Sequence, residues 1–244
     1  MDISGIINIY KPAGPTSHDI VDKIREFTNP LSSSTIHHKR LKIGHAGTLD
    51  PFAEGVLIIL VGKTTRLQSQ FMIMPKTYIA TLKLGWTSDT YDKTGKLKIQ
   101  NPCLIGRQAK CKITIKNLKN ILKIFVGEIE QVPPDYSAIK IKGKKAYELA
   151  RKGIKPKLKS RKVKIYSIKL LYYKHPYVKI KVKCGKGTYV RSLANDIGQK
   201  LGCGAYLEKL IRIKIGKFNI KKSVKIDELN TENLPNKIIP AKMK

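Results

Sequence analysis

The chain has 244 residues, enough for one to two domains and for a core that needs no disulfide or metal staple. Hydrophobic residues make up 41%, near the globular norm, but 49 Lys and Arg stand against 17 Asp and Glu, a net charge of +32. That excess points to a polyanionic partner, nucleic acid or an anionic membrane surface, while the longest apolar run, residues 56–61 (VLIILV), is far too short to span a bilayer.

Along the chain, residues 6–10 form a short apolar strand ended by the turn Lys11-Pro12-Ala13-Gly14-Pro15. Ser17 is placed to cap a helix whose apolar face carries Ile20, Val21, Ile24 and Phe27. Residues 29–38 (NPLSSSTIHH) are polar, without period, and read as a loop. The Gly-rich turn GHAGTLDP follows at residues 44–51, beside a buried-strand candidate at 56–61. Residues 64–72 look helical, and 77–84 alternate as a strand with Tyr78, Ala80, Leu82 and Leu84 on one face. The spacing predicts a helix over 117–126, a strand over 136–141 and a helix over 144–151. Residues 162–173 and 177–184 are long alternating strands; in the second, Val178, Ile180 and Val182 face one way and Lys179, Lys181 and Lys183 the other. An amphipathic helix over 190–201 stops at Gly202, residues 206–218 close the sheet, and the remainder reads as a polar tail. Several adjacent strands lack a crossover helix, so the expected class is a mixed α/β fold with a largely antiparallel central sheet flanked by helices.

No signal or transit peptide precedes the first strand, so a cytoplasmic location is expected. Cys103, Cys111, Cys184 and Cys203 make no C-x-x-C pair; buried, reduced thiols are expected and a zinc site is not.

Two stretches can carry chemistry. Asp50 sits in the Gly-rich turn with no carboxylate nearer in sequence than Glu54. As a turn residue before proline it is unremarked; as a lone carboxylate in a basic chain it suits nucleophilic or general-base work on a substrate brought to it. The segment GKGTYVR at 185–191 either cradles a phosphate on backbone N–H groups or makes an ordinary strand-to-helix turn. Its Arg191 either pairs with an acid or snorkels to solvent. The lysines of the alternating strands (Lys162, Lys164, Lys179, Lys181, Lys183) read as solvated faces that also suit phosphates.

Five blocks, in order, resemble the TruB family of tRNA pseudouridine synthases: GIINIYKPAGPTSHD, KIGHAGTLDPFAEGVLIILVG, KTYIATLKLGWTSDTYDKTG, YSAIKIKGKKAYELARKG and GKGTYVRSLANDIGQKLGCGAYLEKLIR. The resemblance covers about residues 5–220. It implies the pseudouridine synthase fold and isomerisation of the uridine at position 55 in the T loop of tRNA, without cofactor or metal. By position, Asp50 matches the family's catalytic aspartate, which would act on the ribose or on the base. Tyr78 matches the aromatic residue that stacks on the flipped uracil and helps remove the C5 proton. Arg191 matches the basic residue that pairs with the aspartate and keeps it ionised. His45 matches the residue that fills the T loop when the base leaves, Tyr189 and Leu210 match further pocket positions, and Lys11-Pro12 matches a motif of structural meaning. The implied partner is the T arm of tRNA, approached by a monomer without a membrane or an obligatory protein partner.

Three departures accompany the resemblance. Residues 29–38 lengthen the stretch before GHAGTLDP. Where the family reads Leu-Arg-Arg, this chain has Leu210-Ile211-Arg212, one phosphate-seeking charge fewer. The expected organisation is a catalytic domain at 1–220 and a short tail at 221–244, without the C-terminal PUA domain of many members.

Overall fold

The structure is a computed structural model that describes residues 3–32, 41–100, 113–141 and 143–241. In chain order the elements are β1 (Gly5–Lys11), α1 (Ser17–Ser32), β2 (Ile43–His45), β3 (Glu54–Val61), α2 (Gln68–Ile73), β4 (Lys76–Leu84), β5 (Trp86–Ser88), β6 (Leu97–Ile99), α3 (Ile115–Ile124) and β7 (Gly127–Gln131). They continue with β8 (Lys140–Ile141), β9 (Lys144–Lys145), α4 (Ala146–Arg151), β10 (Arg161–Lys174), β11 (Tyr177–Cys184), α5 (Val190–Lys200), β12 (Ala205–Ile215), β13 (Phe218–Asn219), β14 (Val224–Lys225) and α6 (Leu234–Lys237). The chain divides into two units, Met1–Tyr78 with Ile211–Lys244, and Ile79–Leu210; β4 and β12 each give residues to both.

In the first unit the strand order is β14-β1-β3-β12. β1 pairs antiparallel with β3, and β3 runs parallel to β12 through Ile211–Glu54 and Arg212–Gly55. The run VLIILV is apolar throughout because β3 is covered on both faces. Leu57, Ile59 and Val61 join Ile7, Ile9 and the α1 residues Ile20, Val21 and Ile24. Val56, Ile58 and Leu60 join Ile6, Phe71, Ile215 and Phe218 on the other side. Each such side chain, fully buried, stabilises the unit by roughly 1.5–3 kcal/mol. Gly55 lies where β3 meets β12: its φ is +113°, and a Cβ there would sit 2.2 Å from the Arg212 carbonyl oxygen.

Three sequence expectations change here. Ser17 does not cap α1; Thr16 does, through Thr16 Oγ1 accepting from Asp19 N (3.1 Å) while Asp19 Oδ2 accepts from Thr16 N (2.7 Å). Residues 29–32, expected in the loop, extend α1, and 33–38 lie outside the described residues, as do Cys103 and Cys111. The expected polar tail is built into the core: Ile226, Leu229 and Leu234 are buried against α1, β1 and β3, and Val224 extends the sheet beside Ile9.

In the second unit the order is β12-β4-β11-β10-β7, with β10 antiparallel to both β11 and β7. α3 packs on β10 and on α5, burying Leu118 and Leu122. Residues 136–141 do not form one strand. Only Lys140–Ile141 pairs, in a hairpin with Lys144–Lys145 that leads into α4. Cys184 and Cys203 are buried and in no disulfide among the described residues, and burial pushes the Cys203 thiol pKa up. No described helix is long and apolar enough to cross a membrane.

Candidate active site

His45, Asp50 and Tyr78 belong to the first unit; Tyr189, Arg191 and Leu210 belong to the second. Each group is described within its own unit.

The loop that carries Asp50 is held by three side chains from distant parts of the sequence. Arg212, 1% exposed, donates from Nε to the Val56 carbonyl (2.7 Å), from Nη1 to Thr48 (3.0 Å) and from Nη2 to Gly47 (3.0 Å). Lys11, fully buried, donates from Nζ to the carbonyls of Pro12 (2.6 Å), Pro15 (2.8 Å) and Pro51 (3.2 Å). The Ser17 hydroxyl accepts from Leu49 N (2.9 Å) and donates to Leu49 O (3.0 Å). Gly14 N adds a backbone bond to Pro51 O (2.8 Å), and Ala53 N bonds Asp50 O (3.1 Å) to close the turn. Every residue from Gly47 to Pro51 except Asp50 thus gives its carbonyl to a side chain, and Asp50 gives its own to the turn. A short loop of consecutive carbonyls needs buried donors to satisfy it, and two of these donors are cations. Arg212 is a structural guanidinium, with Nε, Nη1 and Nη2 all donating to loop and strand carbonyls.

The electrostatics follow from burial. Desolvation lowers the Lys11 pKa to about 8, opposed by the negative charge of Asp50 and assisted by the positive charge of Arg212. Tyr10 donates its hydroxyl to Glu54 Oε2, and that bond holds the Tyr10 proton up to a pKa of about 12. His45 ends β2 opposite Ile59, and its carbonyl accepts from Gln68 Nε2 (2.8 Å). Its imidazole is pushed toward the neutral form by burial, then by the charges of Arg212 and His18, and its Nδ1 is buried without a hydrogen-bond partner among the described residues. Tyr78 is buried on β4, 8% exposed.

In the second unit Arg191 is one residue into α5 and 5% exposed, so it does not snorkel. Its Nη1 lies 3.4 Å from Asp92 Oδ2 and donates to Thr90 O (3.2 Å), and Nη2 donates to Tyr136 O (2.9 Å). Asp92 Oδ1 accepts from Thr94 N (2.9 Å), Thr94 Oγ1 (2.5 Å) and Thr90 Oγ1 (2.9 Å), so this buried carboxylate is satisfied on both oxygens. Tyr189 stands at the start of α5, its backbone N and O both bonded to the Gln131 side chain (2.8 and 3.1 Å), with Arg161 5.5 Å from its ring centroid. Gly185 N is likewise committed, to Lys164 O (2.8 Å). The Gly185 and Tyr189 amides are thus occupied, and GKGTYVR makes the turn from β11 into α5. Leu210 is buried on β12, 4% exposed.

Sequence reasoning missed Asp92, Arg212, Gln131 and the role of Ser17. Asp92 sits in SDTYDKTG, where an acid among threonines reads as a solvated turn; the signal available was the Thr-x-Asp-x-Thr spacing, which supplies two hydroxyls to one carboxylate.

Comparison with known proteins places these features. Residues 35–190 match the family described as TruB family pseudouridylate synthase (N terminal domain), and residues 191–237 match the tRNA pseudouridylate synthase B C-terminal domain. The chain is 44% identical over 98% of its length to the tRNA pseudouridine synthase B of Clostridium tetani, covering 77% of that protein. It is 41% identical over 96% of its length to that of Thermosipho melanesiensis, covering 71% of it. Among solved structures it resembles a chain of an H/ACA RNP bound to a substrate RNA containing 2′-deoxyuridine, with a TM-score of 0.64 and 27% identity over 92% of this chain and 52% of that one. It also resembles a chain of a Cbf5-Nop10-Gar1 complex, with a TM-score of 0.69 and 27% identity over 98% of this chain and 60% of that one. It therefore spans just over half the length of those solved chains. The matched domains, and curated relatives that align with nearly the whole of this chain, show that the chain belongs to the TruB family of pseudouridylate synthases.

Proposed function

We propose that this enzyme isomerises the uridine at position 55 in the T loop of tRNA to pseudouridine, acting as a monomer in the cytoplasm without a partner protein. The observation that carries the reading is the Asp50 loop: two buried cations and a buried hydroxyl fix the backbone carbonyls of a loop that presents a carboxylate in a chain that carries +32. A protein that only bound RNA would gain nothing from a carboxylate there, because it repels phosphate. Identity of 44% to a tRNA pseudouridine synthase B, against 27% to the chain from an H/ACA RNP, supports tRNA as the substrate.

In this reading the target base leaves its stack, at a cost of a few kcal/mol. The Tyr78 ring receives it, and stacking returns roughly 1–3 kcal/mol. His45 fills the space left in the loop, and Tyr189 and Leu210 line the pocket. Asp50 acts on the ribose or the base as the N-glycosidic bond breaks. The uracil turns, its C5 bonds to the same ribose carbon, and the C5 proton leaves with help from the Tyr78 hydroxyl while the freed N1 gains a proton. Arg191 keeps the catalytic carboxylate ionised. Bonds broken and formed balance within one nucleotide, so the reaction is redox-neutral.

The test incubates pure protein with unmodified tRNA transcripts and maps every pseudouridine formed, with Asp50→Asn in parallel. Modification confined to position 55 and abolished in Asp50→Asn, with tRNA affinity kept within a few fold, is the expected result. Turnover by Asp50→Asn would remove Asp50 from the mechanism, and modification elsewhere would overturn the substrate.

A further inference from the structure

The β10–β11 hairpin has one face in the core and one face that stands exposed among the described residues. Val178, Ile180 and Val182 are fully buried on the inner face. On the outer face the register sets Lys169 opposite Lys181, Ser167 opposite Lys183, Tyr172 opposite Lys179 and Lys174 opposite Tyr177. Two lysines directly opposite across antiparallel strands repel and destabilise the pair. No salt bridge among the described residues relieves Lys169, Lys179, Lys181 or Lys183.

Large rings stand exposed among these charges: Tyr166 at 45%, Tyr172 at 49% and Tyr177 at 39%. Lys164 and Lys183 lie 6.0 and 5.6 Å from the Tyr166 ring centroid, and Lys83 lies 5.9 Å from that of Tyr177. Next to the hairpin, a recess of about 340 Å³ is lined by Lys93, Tyr172, Tyr177, Lys179, Glu208 and Lys209. Its one carboxylate among the described residues, Glu208, already accepts the Tyr206 hydroxyl (2.7 Å). The volume falls at the lower end of small-ligand sites, roughly 300–1,000 Å³.

Lysines of one sign call for an anion, and exposed rings call for a flat apolar partner. A nucleotide has both, a phosphate and a base with a π-face. An anionic bilayer satisfies the lysines, but two of the rings line a recess that a membrane surface does not enter. None of the residues assigned to catalysis or to the target pocket belongs to this face. We propose that the outer face of the β10–β11 hairpin binds an unpaired RNA segment, with a base against Tyr172 and Tyr177 and its phosphates along Lys169, Lys179, Lys181 and Lys183. The like-charge pair Lys169–Lys181 is then the cost of holding that polyanion. The site is independent of the isomerisation and does not rest on it.

The test measures fluorescence polarisation of a labelled single-stranded RNA decamer with no self-complementarity. Tyr172→Ala/Tyr177→Ala is expected to weaken binding at least tenfold, and Tyr172→Phe/Tyr177→Phe to restore it to within threefold. Lys169→Glu converts the repelling pair into an attracting one. It should raise the unfolding midpoint while weakening decamer binding, an opposition that a merely structural lysine does not produce. Because this variant favours the fold, the test stands even if the double alanine variant fails to fold. Asp50→Asn should bind the decamer as wild type does, and excess unlabelled T-arm hairpin should leave it bound. Displacement by the hairpin, or unchanged decamer binding in both the alanine and Lys169→Glu variants, would overturn the proposal. So would phosphatidylglycerol vesicles binding through these residues while the decamer does not.

Discussion

Arg212 donates from Nη2 to the carbonyl of Gly47 at 3.0 Å, and so ties the last long strand to the loop that presents Asp50. The same guanidinium reaches Thr48 and Val56, three carbonyls in one plane-limited fork. A lysine ammonium on a flexible stem does not reproduce that fork. Arg212→Lys should therefore leave at least one buried carbonyl unpaired and cost about 1–3 kcal/mol. The loop would lose its fixed position, and kcat should fall more than KM rises. Urea unfolding and steady-state kinetics on tRNA read both effects; unchanged kcat with lowered stability would confine Arg212 to folding.

The Asp92–Arg191 pair makes a separate prediction. Both side chains are almost wholly buried, at 4% and 6% exposed. Breaking such a pair strands a charge and costs roughly 3–5 kcal/mol. Asp92→Asn keeps the shape and removes the charge, so it should destabilise at the lower end of that range and slow single-turnover isomerisation at least tenfold. The Arg191→Met single and Asp92→Asn/Arg191→Met double variants complete a cycle, and the double should be more stable than the sum of its parts by about 1 kcal/mol or more. Additive losses would show that the two groups do not depend on each other.

Periodic features were legible in the sequence and non-periodic ones were not. VLIILV reads as a buried strand because β3 is covered on both faces, and the Val/Lys alternation of β11 reads as a strand with one wet face. The C-terminal segment escaped because Val224, Ile226, Leu229 and Leu234 reach the core from turns and a one-turn helix, at spacings that fit neither 2 nor 3.6. Asp50 and its neighbours were legible through their motif, yet what holds them was not. A buried Arg212 or Lys11 looks like any surface cation until the carbonyls around it are known. Thr16 and Ser17 are equally good caps by type, and only the fold decides that Ser17 turns to Leu49.

Substitutions at Tyr78 separate the two roles proposed for it, stacking and proton removal. Tyr78→Phe keeps the ring face and loses the hydroxyl, so tRNA affinity should be unchanged. Single-turnover release of the uracil C5 proton should slow at least a hundredfold, the low end of general acid–base contributions. Tyr78→Leu should lose the stacking as well and bind more weakly. Proton release at the wild-type rate in Tyr78→Phe would leave stacking as the residue's whole contribution.

Lys11 gives a pH signature of the loop. Its pKa is lowered from 10.5 to about 8, chiefly by burial, with Asp50 opposing the shift. Between these values the unfolded chain holds a proton that the folded protein has released, so stability contributed through Lys11 rises with pH across that window. Below it both states are protonated and the full cost of the buried charge is carried; above it both are neutral. Lys11→Met removes the titration and leaves the carbonyls of Pro12, Pro15 and Pro51 without their shared donor, so the variant should be less stable throughout. The informative quantity is the difference between wild type and variant, in which the titration of every other lysine cancels. That difference should widen by about 2 kcal/mol between pH 7.5 and pH 10. In an Asp50→Asn background the window should open at lower pH, because the attraction that supports the Lys11 proton is gone. Urea unfolding at the two pH values in each background measures it. A difference that stays flat to within about 0.5 kcal/mol would show that the Lys11 ammonium is not under the burial penalty the loop imposes.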